Sequence, residues 1–278
     1  MESSAIVAGV ATRVSPRVVR LTAPNPGMMT GPGTNAYLIG SEQLALIDPG
    51  PAIAEHVEAL LDAAGGRLRW VLCTHTHIDH SPAAALVREK VKVEVLGMPP
   101  PADGRQDATF TPERVLRHGE RLDCGGFTLR AVHTPGHASN NLCYLLEQDK
   151  WLFTGDHIMQ GSTVVINPPD GDMVAYLRSL ELLLGEDLAC LAPGHGQLIE
   201  APHEEVRKLI KHRLGREQKV LDAFARVNPA TIEELTPIVY ADVSQRLHSV
   251  AQRSLYAHLL KLAREQRVQE QDGRWRLS

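Results

Sequence analysis

Aromatic residues are scarce in this chain: Phe, Tyr and Trp together make up 4% of 278 residues. Proteins that grip single-stranded nucleic acid present aromatic stacking platforms, so a broad base-stacking surface is not expected. Cysteine is scarce as well. The four thiols, Cys73, Cys124, Cys143 and Cys190, are widely spaced and form no CxxC pair. That argues against a disulfide framework and a cysteine-held zinc, and implies reduced thiols in a cytoplasmic-type compartment. No apolar run approaches the roughly 18 residues that a membrane span needs, so no membrane partner is expected. Met1 to Arg20 has no apolar core of a secretory signal, although its Ser and Arg content leaves a transit peptide open. The glycines of Gly31-Pro32-Gly33-Thr34-Asn35 are followed by neither GK[ST] nor a helix pattern, which rejects a nucleotide phosphate loop.

A strong charge of one sign is also missing. The net charge is −4, which alone does not suggest a nucleic-acid binder. Its distribution is uneven: Val206 to Ser278 carries 14 Lys and Arg against 8 Asp and Glu, and Met1 to Glu205 carries 15 against 25. A basic tail on an acidic body points towards an anionic partner.

What the chain does have is Cys73-Thr74-His75-Thr76-His77-Ile78-Asp79-His80. The β-rich run Leu68–Cys73 before it reads as a buried strand, and Ser81-Pro82 opens a helix over Ala83–Lys90. The cluster therefore lies on the loop leaving the strand's C-terminal end. Imidazole and carboxylate are ligands that zinc and similar ions accept. The spacing suits two ions side by side, with His75 and His77 facing one way and Asp79 and His80 the other.

The rest of the chain repeats the arrangement. Strands are expected at Val18–Leu21, Ala36–Ile39, Leu44–Asp48, Val91–Leu96, Phe127–Val132, Leu142–Leu146, Trp151–Phe153 and Leu188–Leu191, with helices at Ala52–Ala64 and Met173–Leu184. Strand after strand ends in a Gly- or Pro-marked loop bearing a ligand-type residue: Asp48, the His75–His80 cluster, His137, Asp156 and His195. A rigid sheet that gathers such residues at one end is how active sites are built. Met98 to Arg121, polar and with four prolines, reads as a surface excursion over that site.

The last third differs. Amphipathic helical patterns over Pro202–Val227, from Thr231 and over Leu247–Glu265 precede two short strands around Asp272-Gly273, a hairpin turn. These read as a small winged-helix-like domain, so the chain divides into residues 1–205 and 206–278. Its role is either a nucleic-acid or partner clamp or a packing module, with a homo-oligomer allowed.

Asp48, HTHIDH at 75–80, TPGH ending at His137, TGD ending at Asp156 and PGHG around His195 resemble, in order, the five motifs of the metallo-β-lactamase superfamily. The resemblance covers roughly Val18 to Ile199 and implies an α+β fold, the four-layer αβ/βα sandwich with metals at one edge. Within the superfamily the chain most resembles the lactamase-beta-2 type, endoribonucleases acting on single-stranded RNA. That likeness rests on Asn25-Pro26-Gly27, Gly33–Leu38, His212-Arg213, Arg216-Glu217-Gln218 and the winged helix.

The resemblance implies two divalent ions, zinc first, with manganese or iron compatible. His75, His77 and His137 would hold one, Asp79, His80 and His195 the other, and Asp156 would bridge. A shared hydroxide is the implied nucleophile; Asp79 would orient it or move its proton, and Asp156 joins it as a catalytic group. Asp48 would hold a ligating histidine through a hydrogen bond. His133 reads as strand-end packing and His157 as a group lining the pocket. No substrate-binding residue is assigned; His212-Arg213 reads as a helix surface pair or an anion contact. Three functions follow: phosphodiester hydrolysis in single-stranded RNA; hydrolysis of a small thioester, ester or lactone of glyoxalase II or lactonase type; and metal binding without catalysis, against which stand all seven expected ligands.

Overall fold

The computed structural model describes residues 5–278. The chain forms two compact units. The first takes in the chain to Thr134, Asn140–Thr163 and Asp187–Pro202; the second takes in Pro135–Ser139, Val164–Glu186 and His203–Ser278.

In the first unit a seven-stranded sheet runs in sequence order: β1 (Thr12–Arg13), β2 (Val18–Thr22), β3 (Asn35–Gly40), β4 (Leu44–Ile47), β5 (Leu68–Leu72), β6 (Glu94–Gly97) and β7 (Arg114–Val115). The first three pairings, from β1 to β4, are antiparallel, and those from β4 to β7 are parallel. A second sheet has five strands: β8 (Arg121–Asp123), β9 (Thr128–His133), β10 (Leu142–Leu146), β11 (Trp151–Gly155) and β12 (Cys190–Pro193), ordered β12-β11-β10-β9-β8. The only parallel pairing in it is β11 with β12.

Alternation of side chains along the strands gives each sheet two faces. Tyr37, Ile39, Ile47 and Leu72 of the first sheet meet Leu129, Tyr144, Leu146 and Phe153 of the second in one apolar layer. The opposite face of the first sheet (Leu38, Leu46, Val71, Val95) packs on two helices, α1 (Ala54–Ala64) and α2 (Ala83–Lys90), through Val57, Leu60, Ala84 and Val87. Each Val, Leu or Ile among them removed from water contributes about 1.5–3 kcal/mol. Helix α1 stops where Gly65 takes a left-handed conformation, φ 55°, and returns its N–H to the carbonyls of Leu61 and Asp62. The C-terminal ends of β4, β5, β11 and β12 all carry the motif loops. The fold is the expected mixed α+β sandwich.

Met98–Arg121 is not merely a polar excursion. Phe110 and Leu116 are buried in the two apolar layers and Arg114–Val115 extends the first sheet. The prolines hid this, because a two-residue edge strand has no periodicity to read.

The second unit contains α3 (Met173–Leu183), α4 (Pro202–Ala223), α5 (Ile232–Val239), α6 (His248–Arg264) and the hairpin β13 (Val268–Gln271) and β14 (Arg274–Leu277). Thr231 and Glu234 form a reciprocal capping box at the start of α5. Asp272 and Gly273 turn the hairpin with φ 51° and 76°, the paired positive φ of a type I′ turn. Val220, Phe224, Leu235, Leu255, Leu259 and Trp275 form its core. Residues 212–217 are not a surface pair and its neighbours. His212 is exposed, but Arg213 is 3% exposed, reaches the carbonyl of Val164 and lies 5.1 Å over the Tyr176 ring. Arg216 binds the carbonyl of Val239 and the carboxylate of Asp242, and Glu217 pairs with Lys261 at 2.8 Å. No helix of the described residues is long and apolar enough to cross a membrane.

Candidate metal centre

Asp48 begins the site. It follows β4 at the point where the chain turns with φ 52°, a left-handed position that aspartate tolerates better than most residues. The carboxylate is 2% exposed. One oxygen accepts the backbone N–H of Thr74 at 2.7 Å; the other accepts the Thr74 hydroxyl at 2.8 Å and His80 Nδ1 at 2.9 Å. Asp48 thus ties both ends of the loop that leaves β5.

Those contacts also settle proton positions. The Thr74 hydroxyl donates to Asp48, so its oxygen accepts from His75 Nδ1, 3.0 Å away. His80 Nδ1 donates to Asp48, and His195 Nδ1 donates to the carbonyl of Gly33 at 3.1 Å. With Nδ1 carrying the proton, a neutral imidazole presents its lone pair at Nε2. An outer hydrogen bond on Nδ1 is how ligating histidines are commonly oriented.

The Nε2 atoms converge on carboxylates. Asp156 Oδ1 lies 3.3 Å from both His80 Nε2 and His195 Nε2. Asp79 Oδ2 lies 3.3 Å from His195 Nε2 and 3.7 Å from His80 Nε2. His75 Nε2 lies 2.9 Å from His77 Nδ1. The ligand atoms of His75, His80 and Asp156, and those of Asp79, His80 and His195, fall within 4.8 Å of one another. Four donors about 2.0–2.1 Å from a tetrahedral zinc stand roughly 3.3 Å apart. The spacing of His80, His195, Asp79 and Asp156 matches that edge, so the residues fit a divalent ion.

The electrostatics agree. Burial alone would lower the pKa of His195, but Asp156 and Asp79 raise it to about 10. Burial opposes charge on His80 too, and Asp79, Asp156 and Asp48 overcome it. The Asp156 carboxyl, which burial would push up, is held well below its ordinary value by His195 and His80. The site draws in positive charge. Two glycines make the approach possible: a Cβ on Gly194 would sit 2.6 Å from the His80 ring, and one on Gly155 would sit 2.3 Å from the Thr74 hydroxyl.

His137 belongs to the second compact unit. There its Nδ1 donates to the carbonyl of Val165 at 2.8 Å, the same anchoring that His195 shows. His133 is half-buried and its N–H donates to His118 Nδ1; His157 is fully buried after Asp156.

Sequence reasoning missed the supports of this loop. The Asn140 amide donates to the Thr76 hydroxyl at 2.7 Å, which donates to Gln106 Oε1 at 2.5 Å. The backbone N–H of Asp107 holds the carbonyl of Thr76, and its carboxylate accepts from Ser81 at 2.7 Å. Gln106 and Asp107 therefore grip the loop at Thr76 and just past its end. Thr34 reaches Asp79 at 3.5 Å, and Asn25 holds Thr34. The same segment exposes Met28 (74%) and Met29 (50%), and Ile78 (71%) projects between His77 and Asp79. No motif announces these contacts, because each joins residues distant in sequence.

A family profile described as "Metallo-beta-lactamase superfamily" matches residues 29–195, and one described as "Beta-lactamase associated winged helix domain" matches residues 231–275. The beta-lactamase-like protein 2 homolog of Drosophila melanogaster is 31% identical over 91% of this chain and 90% of its own. An atrochrysone carboxyl ACP thioesterase of Aspergillus fumigatus is 30% identical over 92% of this chain and 84% of its own. A beta-lactamase domain protein from Burkholderia ambifaria has the same fold, with a TM-score of 0.83 at 20% identity over 100% of this chain and 96% of that one.

Proposed function

Since the chain belongs to the metallo-beta-lactamase superfamily, of which it carries the hydrolase motifs, we propose that it is a two-zinc hydrolase cleaving thioesters borne on an acyl carrier. His75, His77 and His137 would hold one ion, Asp79, His80 and His195 the other, with Asp156 shared. Such ions, when bound, lower the pKa of water towards 7 and polarise a carbonyl.

The chain's own residues do the remaining work. Asp48, Gly33 and Thr74 hold three imidazoles in the tautomer that offers Nε2. Gln106 and Asp107 stop the loop from swinging. The Asp79 side chain, 22% exposed, is the carboxylate best placed to orient a water molecule and take its proton, and Thr34 steadies it.

The observation that carries the substrate class is a set of exposed apolar side chains: Ile78, next to the donor Asp79, and Met28 and Met29, on the segment whose Thr34 reaches Asp79. Thioether and aliphatic side chains suit an acyl chain. The likeness to a carboxyl ACP thioesterase supports the reading. Single-stranded RNA is the second reading, supported by the lactamase-beta-2 resemblance and the basic C-terminal segment. Two features weigh against it. Among the described residues the exposed large apolar side chains include one aromatic, Tyr256, and buried C-terminal cations are taken up within the chain: Arg216 by Asp242 and Lys261 by Glu217.

The test gives the zinc-loaded full chain an acyl-coenzyme A, an acyl carrier protein thioester and a fluorophore–quencher RNA strand. Thiol release with intact RNA, lost in Asp156→Asn, is expected. RNA cleavage with both thioesters untouched would replace this reading by the second.

A further inference from the structure

The outward face of α4 carries charge that no part of the catalytic proposal uses. Lys208, Lys211, His212, Gly215, Arg216, Lys219 and Asp242 line a groove of about 350 Å³. On its other side Leu184, Ile210 and Leu214 line an apolar depression of about 590 Å³ with Glu181, Arg207 and Lys211 at its rim. Leu214 is 48% exposed. Lys208 leans on Glu205, and Lys219 on Asp242, exposed pairs that count for little. Arg207 and Lys211, one helical turn apart, make no ion pair among the described residues.

Gly215 belongs to both depressions. It sits inside a helix, where glycine is among the worst residues, and a Cβ there would meet nothing within 4 Å. Its φ is not one that favours glycine, so neither backbone nor packing within this chain calls for it. A bare backbone flanked by Lys211, His212, Arg216 and Lys219 is what close approach of another molecule requires.

We infer that this face of α4 docks an acidic amphipathic helix, that of the acyl carrier protein bearing the thioester. Carboxylates of the partner would meet Arg207, Lys208, Lys211 and Lys219, its apolar stripe would lie on Ile210 and Leu214, and its backbone would approach at Gly215. Helix-in-groove recognition uses this combination of apolar anchors and bordering charge. The inference rests on the thioester reading for the partner's identity, and on the face itself for the docking.

The experiment measures binding of fluorescently labelled holo acyl carrier protein to the zinc-loaded full chain, alongside turnover of the carrier-bound and coenzyme A-bound forms of one acyl group. Lys211→Glu and Gly215→Leu are expected to weaken carrier binding at least ~10-fold and raise KM for the carrier-bound substrate, leaving kcat and coenzyme A thioester turnover unchanged. Gly215→Ala should raise Tm while weakening binding, a split that a purely structural glycine would not produce. Absence of carrier binding in the wild-type protein, variants without effect, RNA bound through the same residues, or self-association lost in Lys211→Glu would each overturn the docking surface. Carrier binding that the variants abolish, with neither thioester hydrolysed, would uphold docking and sink the thioester reading alone.

Discussion

Two stretches are dense in ionisable side chains and resolve their charge in different ways. Around the loop from Thr74 to His80, His80 faces the carboxylates of Asp79 and Asp156 at 3.3–3.7 Å, and imidazoles anchored through Nδ1 turn Nε2 inward. On α4, Glu217 meets Lys261 at 2.8 Å and Arg216 meets Asp242 at 2.7 Å. The loop is built to receive a cation from outside, whereas the inner face of the helix supplies its own. Density of charged residues therefore does not mark a site; the sign of what converges does.

The largest effect should come from the loop. Asp156→Asn keeps the shape of the side chain but removes the charge that His80 and His195 face, so turnover should fall at least ~1000-fold with retention of the cooperative melting transition. Asp48→Ala leaves the donors in place and frees the loop at both ends. Metal affinity should drop about 10–100-fold, read by competition with a chromophoric chelator. Asp107→Ala should act in the same direction through Thr76 and Ser81, and Asp107→Asn, which keeps the Ser81 acceptor and the backbone contact, should restore most of the affinity.

On the helix the pattern inverts. Lys261→Met takes the nearest cation from the buried Glu217, which keeps only His258 and Arg267 at 3.7 Å, and should cost up to about 3–5 kcal/mol of stability, read by denaturant melts, with metal content unchanged. Burial raises the pKa of Glu217, but His258, 3.7 Å away, and the Lys261 ammonium at 2.8 Å bring it below its ordinary 4.5. The unfolded chain therefore takes up that proton at higher pH than the folded one. The stabilisation is complete above 4.5 and is lost as pH falls through the lower folded value. The stability gap between wild type and Glu217→Gln should narrow as pH falls below that range. The smallest effect is Gly215→Ala, which should stabilise the chain by about 0.5–1 kcal/mol.

The same contrast explains what could be read in advance. Local patterns carried individual strands: Leu142–Leu146 and the hairpin strands around Asp272-Gly273 lie where the apolar run and the turn chemistry placed them. The histidine cluster was legible because its residue types are rare together and follow an apolar strand. Gln106, Asp107 and Asn140 were not, since they act through hydrogen bonds across 26 to 64 residues. Arg213 was misread as a surface residue because its partners, Val164 and Tyr176, lie 49 and 37 positions earlier. Helical spacing shows which face a residue occupies, not what will cover it.

The most direct test counts metal on the purified full chain after zinc loading and exhaustive dialysis. About two equivalents should stay bound to the wild type and fewer than one to Asp156→Asn, with thioester turnover that follows occupancy. Full turnover by protein stripped of metal, or two equivalents retained by Asp156→Asn, would contradict the two-metal reading.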